Sequence, residues 1–401
     1  MLGGADFGAG FWQLTAGKGP HAESIRDHAH HAMAPVWEAN HVWLVFVLTV
    51  VWTAYPTAFG SIASTLSIPL FVAAIGIILR GATYALRAGT STARELRLID
   101  TVFSLSSILT PFALGTAVGG IASRRVPVGN AAGDQFSSWL NATSLSIGVL
   151  AVATAAYIAA VFLCGDAARL GEQDLEARFR KRALAAGVIA GATALAALAV
   201  LRSDASPLYH RLLEGRALPA LLISVLAGVV TLALVWRRRY EPARYSAAVA
   251  VAAIVAGWAL AQAPTLLRGL TIAQAAASHD TLVAVIVAVV AGAVILFPSL
   301  ALLFGLVLRG ALDHAQAATS SVGSGRVLLS ASTAGLLGRL AGACVVAGIG
   351  FTTIANAGWA HAIGVASLLG FIAVGFPAAL PPEILSSRQG RGGASRRRPP
   401  R

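Results

Sequence analysis

The densest group of polar side chains in the sequence lies in the stretch PVWEANHVW, directly before a long apolar run. It places Glu38, Asn40 and His41 between Trp37 and Trp43. One interpretation is a helix start at a membrane surface, where Trp side chains act as interfacial anchors. The other is a carboxylate that passes protons inward, because ionisable groups at membrane depth are usually functional. The residue types fit both interpretations.

A second acid stands in the first segment of the chain, which is apolar and rich in glycine. Asp6 lies within MLGGADFGAG, where a carboxylate is costly unless it faces protein or water. It is the other candidate for proton access. Arg80 closes an apolar run in ILRGATYALR, and the simplest expectation is that its side chain snorkels to the membrane interface.

Metal binding within this chain has weak support. His28, His30 and His31 form a cluster, but no carboxylate or Cys stands at ligand spacing, which favours solvated side chains over a metal site. Cys164 and Cys344 lie in or beside separate apolar runs and form no C-x-x-C pair. Nucleotide-binding loops, nucleophile elbows and zinc-protease motifs are also missing from the sequence. We therefore expect neither a metal site nor catalytic residues in this chain.

Haem ligation inside a membrane needs His, Met or Cys side chains at depth. The Met residues are Met1 and Met33, and every His except His361 falls in a loop or at the end of an apolar run. If the protein takes part in redox chemistry, its cofactors are therefore expected on a partner chain.

The elements that must position these residues are membrane helices. Hydrophobic residues make up 57% of the 401 positions and charged residues 12%, against roughly 25% charged residues in a soluble domain. The mean hydropathy is +0.74. Runs of ~20 apolar residues suit bilayer-spanning helices, and these runs lack the alternation of barrel strands. The runs cover residues 42–60, 66–87, 100–122, 140–163, 183–201, 218–236, 245–263, 281–308, 333–354 and 358–380.

Loop charges predict the orientation. The first fourteen residues resemble half of a further span. When this half-span is counted as the first span, most Lys and Arg residues fall in loops that follow odd-numbered spans. The positive-inside rule then places the N-terminus outside and the C-terminus in the cytoplasm. The net charge of +13 is read as this asymmetry rather than as nucleic-acid binding. The start lacks a basic n-region and a long apolar h-region, so no cleavable signal peptide is expected.

Several of these motifs together resemble subunit II of the cytochrome bd-type quinol oxidases. The match runs from residue 2 to about residue 310 and includes GGADFGAG, the W-E-x-N-x-x-W signature with the apolar stretch after it, SSILTPFALGTAVGGIASRRVPVG, LRSDA and LTIAQAAA. The resemblance implies an all-α polytopic membrane protein of nine spans, built as two four-helix bundles plus a peripheral helix. It also implies a bacterial cell membrane as the location.

The resemblance further implies a partner, subunit I, that carries two b-type haems, one d-type haem and the quinol site. The complex would oxidise quinol and reduce oxygen to water with cytoplasmic protons, and this non-haem subunit would scaffold subunit I. Glu38 and Asp6 become the candidates for proton access. Trp37, Asn40, Trp43 and Arg80 become the candidates for contact with subunit I. A structural quinone, membrane lipid and a small accessory subunit are further partners that the resemblance allows.

The sequence departs from the family pattern in three ways. The first span is N-terminally truncated, which predicts either a late start or a missing half-helix. The acid expected after the aromatic residue of the R-G-x-x-F motif has no counterpart beyond Tyr84, and Gln274 replaces an Asp. The apolar pair at 333–380 exceeds nine spans. The expected domains are therefore the oxidase domain at 1–310, a polar linker at 311–332, the extra pair at 333–380 and a disordered basic tail at 381–401.

A secondary transporter is the alternative function. Such proteins usually have Gly- or Pro-broken helices in corresponding positions of two repeats, with charged groups near the midplane. The span interiors here carry almost no charge, which favours the oxidase subunit.

Overall fold

In the computed structural model, the described residues are 2–17, 19–33, 37–87, 92–308, 340–344, 346–348 and 358–379. The chain forms two compact units, Met1–Pro298 and Ser299–Arg401. The predicted linker at 311–332 and the predicted tail at 381–401 lie outside the described residues.

The fold is almost entirely helical, as the apolar runs predicted. The helices are α1 (Leu2–Leu14), α2 (Pro20–Met33), α3 (Trp37–Ala54), α4 (Pro56–Thr65), α5 (Ser67–Arg87), α6 (Ala93–Ala122), α7 (Ala142–Leu170), α8 (Gln173–Asp204), α9 (Ser206–Glu214), α10 (Leu218–Trp236), α11 (Tyr240–Gln262), α12 (Ile272–Ala275), α13 (His279–Leu308) and α14 (Gly358–Ala379). A short antiparallel hairpin, β1 (Thr265–Leu267) and β2 (Leu270–Thr271), stands between α11 and α12.

Six helices of the described part are long and apolar enough to cross a membrane. They are α5, α6, α7, α8, α10 and α11, and the longest of them, α8, has 32 residues. A seventh crossing arises if α3 and α4 are taken as one bent span. A helix satisfies its own backbone hydrogen bonds, which is what a segment in hydrocarbon requires. The protein is an all-α, multi-pass membrane protein.

The apolar run at 42–60 was expected to form one continuous span, and the structure breaks it. α3 and α4 meet at an angle of 118°. Pro56 begins α4 and has no N–H to donate, and Tyr55 before it leaves the helical region with φ −137° and ψ 58°. The carbonyl of Ala54 instead accepts a hydrogen bond of 2.8 Å from the N–H of Ala277. A distant segment thus satisfies a carbonyl that has lost its helical partner at the break between α3 and α4.

Residues 20–33 form a helix on the protein rather than a solvated loop. Ile25 and Ala29 of α2 are buried in the largest apolar cluster, against residues of α7. His28 is buried as well; its Nε2 lies 3.1 Å from the carbonyl oxygen of Leu163, and its ring lies against Phe179. The expectation of a solvated His28 was therefore wrong, because α2 packs with its apolar face inward. The side chains of His30 and His31 lie outside the described part.

The spanning helices of the first unit pack in two groups. α7, α8, α10 and α11 form a four-helix group in which each helix contacts two others. On the other side of α7, α1 packs into the angle between α6 and α7, α5 packs on α6, and α3 and α4 contact α1 and α5 respectively. These contacts agree with the predicted pair of bundles. α1, with 13 residues, has contacts to both α6 and α7 along its length.

The second unit contains α14, which coincides with the predicted span at 358–380. Helical residues at 340–344 and 346–348 fall within the predicted span at 333–354. Leu368 of α14 lies where a side chain on Gly348 would point, so these two segments pack closely. The assignment of 333–380 as an extra membrane pair stays a prediction.

Candidate functional site

A buried ion pair joins α1 to α5. The carboxylate of Asp6 and the guanidinium of Arg80 are both 0% exposed. Arg80 donates from Nη2 to Asp6 Oδ1 and, at 2.9 Å, to the backbone carbonyl of Asp6. Its Nη1 donates to the hydroxyl of Ser107 on α6. One arginine therefore ties three helices together through charge-assisted hydrogen bonds.

Two aromatic rings flank the Arg80 guanidinium. Its Cζ lies 4.3 Å from the centre of the Phe103 ring and 5.0 Å from the centre of the Phe7 ring. A desolvated cation over an aromatic face gains up to ~2 kcal/mol per contact. The rings also exclude water, so the charges meet each other rather than solvent.

Glycines of the D-x-G-x-G element let α1 approach close enough to form this pair. A Cβ on Gly8 would overlap the backbone carbonyl of Ala155 on α7, and a Cβ on Gly10 would overlap Ser107 on α6. One turn further on, the indole N–H of Trp12 donates a 2.8 Å hydrogen bond to the Ala156 carbonyl. The spacing of small residues in this segment is thus explained by helix packing, as is common between membrane helices.

The sequence-based expectations for Asp6 and Arg80 have different outcomes. Asp6 faces protein, as its position in an apolar segment required. Snorkelling of Arg80 is wrong, because its whole side chain is buried and lies about 10 Å from the end of α5, at ~1.5 Å per residue. The structure places Arg80 inside this chain rather than on a face that subunit I could contact.

The W-E-x-N-x-x-W signature opens α3. Glu38, Asn40 and His41 fall in its first turns, and their side chains, like that of Trp37, lie outside the described part. Trp43 is half-buried and packs edge-on against Phe46, with ring centres 6.0 Å apart. The structure therefore unites Asp6 with Arg80 and does not describe where the Glu38 carboxylate points.

Ser107 is a site residue that sequence reasoning missed. It belongs to a row of buried hydroxyl residues on α6, in the segment SLSSILT. The members of the row are Ser104, Ser106, Ser107 and Thr110. Hydroxyls recurring at three- and four-residue spacing within an apolar run mark one helix face, and this signal could have identified the partner of a buried charge.

A second ionic cluster lies at the C-terminal end of α8, which is Asp204. Arg125, in the loop after α6, binds Asp204 through both terminal nitrogens at 2.7 and 2.9 Å. The carboxylate also accepts hydrogen bonds from the backbone N–H and the hydroxyl of Thr143. The hydrogen bond to Asp204 raises the pKa of Arg125. Through Asp204 of LRSDA and Arg125 of SRRVP, the two motifs thus connect the ends of α6, α7 and α8.

Gln274, where the family pattern has an Asp, caps a helix. Its Oε1 accepts hydrogen bonds from the backbone N–H of Thr271 at 3.0 Å and from the Thr271 hydroxyl at 2.9 Å. The backbone N–H of Gln274 donates in turn to that hydroxyl at 3.3 Å. This is a capping box, in which an amide serves as well as a carboxylate. Gln274 thus holds the start of α12 without carrying a charge.

The packed helices and the buried Asp6–Arg80 pair define the class of protein. It is a multi-pass membrane protein with a buried polar contact between α1, α5 and α6. Comparison with known proteins assigns the family. The family model for cytochrome bd terminal oxidase subunit II matches residues 1–307. The chain belongs to the cytochrome bd terminal oxidase subunit II family.

Individual relatives are distant. The "Putative cytochrome bd menaquinol oxidase subunit II" of Bacillus subtilis (strain 168) is 24% identical over 230 residues, covering 56% of this chain and 65% of the relative. The "Cytochrome bd ubiquinol oxidase subunit 2" of the same organism is 28% identical over 115 residues, or 29% and 33% of the two chains. The chain thus spans less than two thirds of these curated relatives.

A solved structure covers more of the chain. In the structure of bd oxidase from Geobacillus thermodenitrificans, one chain is 26% identical and superposes with a TM-score of 0.58. The match covers 77% of this chain and 93% of that chain.

Proposed function

We propose that this protein is the non-haem subunit II of a cytochrome bd-type complex that oxidises quinol and reduces oxygen to water. The family match over residues 1–307 carries the proposal. The two b-type haems and the d-type haem of the partner, subunit I, supply the electron transfer and oxygen chemistry. This chain scaffolds that subunit in the bacterial cell membrane, with its N-terminus outside and its C-terminus in the cytoplasm.

The buried ion pair supports a division of labour between the two acids. Asp6 is neutralised by Arg80 and needs no proton to remain at its depth. We assign it a fixed structural and electrostatic role at the contact of α1, α5 and α6. Glu38 stands in the first turn of α3, at the predicted cytoplasmic end of a span. It is therefore the proposed group that takes up protons from the cytoplasm.

Co-purification tests the complex. The tagged chain is expressed with the protein encoded beside its gene, and the purified sample is assayed for haem-d absorbance and for oxygen uptake driven by quinol. Both signals are expected to follow the tag. Purification of the two chains together without haem-d absorbance would overturn the proposed function.

Glu38→Gln tests the proton role. The amide keeps the size of the side chain but cannot carry a proton, so turnover is expected to fall about 10²-fold or more, the scale of a lost proton-transfer group. Haem content should stay at the level of the parent complex. Glu172→Gln, at an exposed acid between α7 and α8, is the matched control and should leave turnover unchanged. Equal turnover in both variants would reduce Glu38 to a helix-start residue.

A further inference from the structure

A long apolar groove runs between four helices of the first unit. It has a volume of about 730 Å³ and is lined by aromatic and aliphatic side chains of α1, α6, α7 and α8, among them Trp12, Phe112, Val149 and Ile189. Volumes of ~300–1,000 Å³ are typical of ligand sites. The chain leaves this space unfilled although membrane helices normally pack closely.

One end of the groove is cationic. Lys181 and Arg182 line it there, directly before the apolar part of α8 that begins at Ala183. Within the described part of the chain, neither side chain has a carboxylate within 4 Å. The nearby Arg178, by contrast, is paired with Asp174 at 3.0 Å. The groove therefore joins an apolar channel to two uncompensated positive charges.

The Arg182 guanidinium lies against two aromatic rings, and one of its nitrogens has no hydrogen-bond acceptor among the described residues. It lies over the rings of Trp12 and Phe179, with its Cζ 5.6 and 5.4 Å from their centres. Its Nη1 is buried, and no acceptor among the described residues reaches it. A buried donor without an acceptor costs about 1–3 kcal/mol, more when it is charged. An anionic oxygen at this end of the groove would remove that cost.

The dimensions fit one membrane leaflet. Along α8 the lining extends from Lys181 to Thr193, which is about 18 Å at ~1.5 Å per residue. Half of a ~30 Å hydrocarbon core is about 15 Å. The two cations thus lie at the membrane surface, and the groove reaches the middle of the bilayer. The predicted orientation from the loop charges makes this the cytoplasmic surface, where anionic lipids attract basic residues.

We propose that this groove is a binding site for one anionic phospholipid, whose phosphate contacts Lys181 and Arg182 and whose acyl chain lies along α6, α7 and α8. The lipid completes the packing between α1 and α8. A neutral quinone would fill the apolar part equally well but would leave both charges uncompensated.

The headgroup is tested with the double variant K181Q/R182Q. The full chain, with the subunits that co-purify, is extracted in mild detergent, and its bound lipids are counted by native mass spectrometry. After delipidation it is titrated with phosphatidylglycerol, phosphatidylcholine and inorganic phosphate. The variant should bind phosphatidylglycerol roughly 30-fold more weakly, as expected when two basic side chains at an anionic surface are removed. The control R237Q/R239Q, which removes two exposed cations between α10 and α11, should bind it normally.

The acyl chain is tested separately with Ala185→Phe. Ala185 lines the groove and is exposed, so the ring fills the space without disturbing the core. The bound lipid should be lost, whereas Ala192→Phe, on an exposed part of α8 outside the lining, should retain it. The proposal is overturned if K181Q/R182Q retains its lipid, if phosphatidylcholine or phosphate binds the parent as tightly as phosphatidylglycerol, or if the extracted occupant is a quinone.

Discussion

Neutralising one member of the Asp6–Arg80 pair should be among the most damaging single changes in the protein. Both side chains are fully buried, so Asp6→Asn removes the carboxylate that neutralises a buried guanidinium. Breaking a buried pair in this way costs about 3–5 kcal/mol of unfolding free energy. Arg80 keeps its bonds to Ser107 and to the Asp6 carbonyl and its contacts with two rings, which favours the lower end, near 3 kcal/mol. Arg80→Met leaves a carboxylate with its cation removed and should cost nearer 5 kcal/mol.

The double variant D6N/R80M separates charge from packing. It restores neutrality, so its loss should be smaller than the sum of the two single losses by about 2–3 kcal/mol, the upper part of the range for directly coupled residues. Unfolding is followed by tryptophan fluorescence of the purified protein in detergent, with haem content as a second readout. Arg178→Gln breaks an exposed pair with Asp174 and should shift the midpoint by no measurable amount. Additive losses, or single variants as stable as Arg178→Gln, would refute the buried-pair reasoning.

Three further predictions concern packing and orientation. Gly10→Ala places a methyl group against Ser107 and should lower the unfolding free energy by about 1–3 kcal/mol. Gly191→Ala, on α8 where an added Cβ meets open space, should cost less. Ala277→Pro removes the N–H that bonds to Ala54 and should lower the unfolding free energy by about 1–3 kcal/mol. Ala277→Gly keeps that donor and should retain most of the stability. Equal losses of unfolding free energy in the two variants would contradict the role of the bond. A fluorescent protein fused to the C-terminus should fluoresce in the cytoplasm, and alkaline phosphatase fused there should be inactive; active phosphatase would reverse the proposed orientation.

The helices could be predicted because hydrocarbon leaves a spanning segment few alternatives. Apolar runs of sufficient length, separated by charged loops, located α10 and α13 to within two residues. The break between α3 and α4 escaped prediction although Pro56 was visible. Proline bends some membrane helices and ends others, and the carbonyl of Ala54 that the break leaves free is satisfied by Ala277, far away in the sequence.

The site was predictable in its members and not in its geometry. Asp6 and Arg80 stood out because each is a charge in an apolar segment, but no periodicity relates positions on different helices. Their pairing depends on how closely α1 approaches α5 and α6, which is set by glycine contacts such as that of Gly10 with Ser107. The sequence therefore suggested that Arg80 ends a span at the membrane surface, whereas in the structure it joins α5 to α1 and α6.

The bond from Ala277 to the Ala54 carbonyl also constrains how the protein is made. Ala54 leaves the ribosome long before Ala277, so during synthesis the bend between α3 and α4 first exists with an unsatisfied backbone carbonyl. That group must be held by water or by the insertion machinery until the segment ahead of α13 has crossed. The bend between α3 and α4 is thus completed only when nearly the whole first unit has been synthesised, so truncations before Ala277 are expected to destabilise one of its earliest helices.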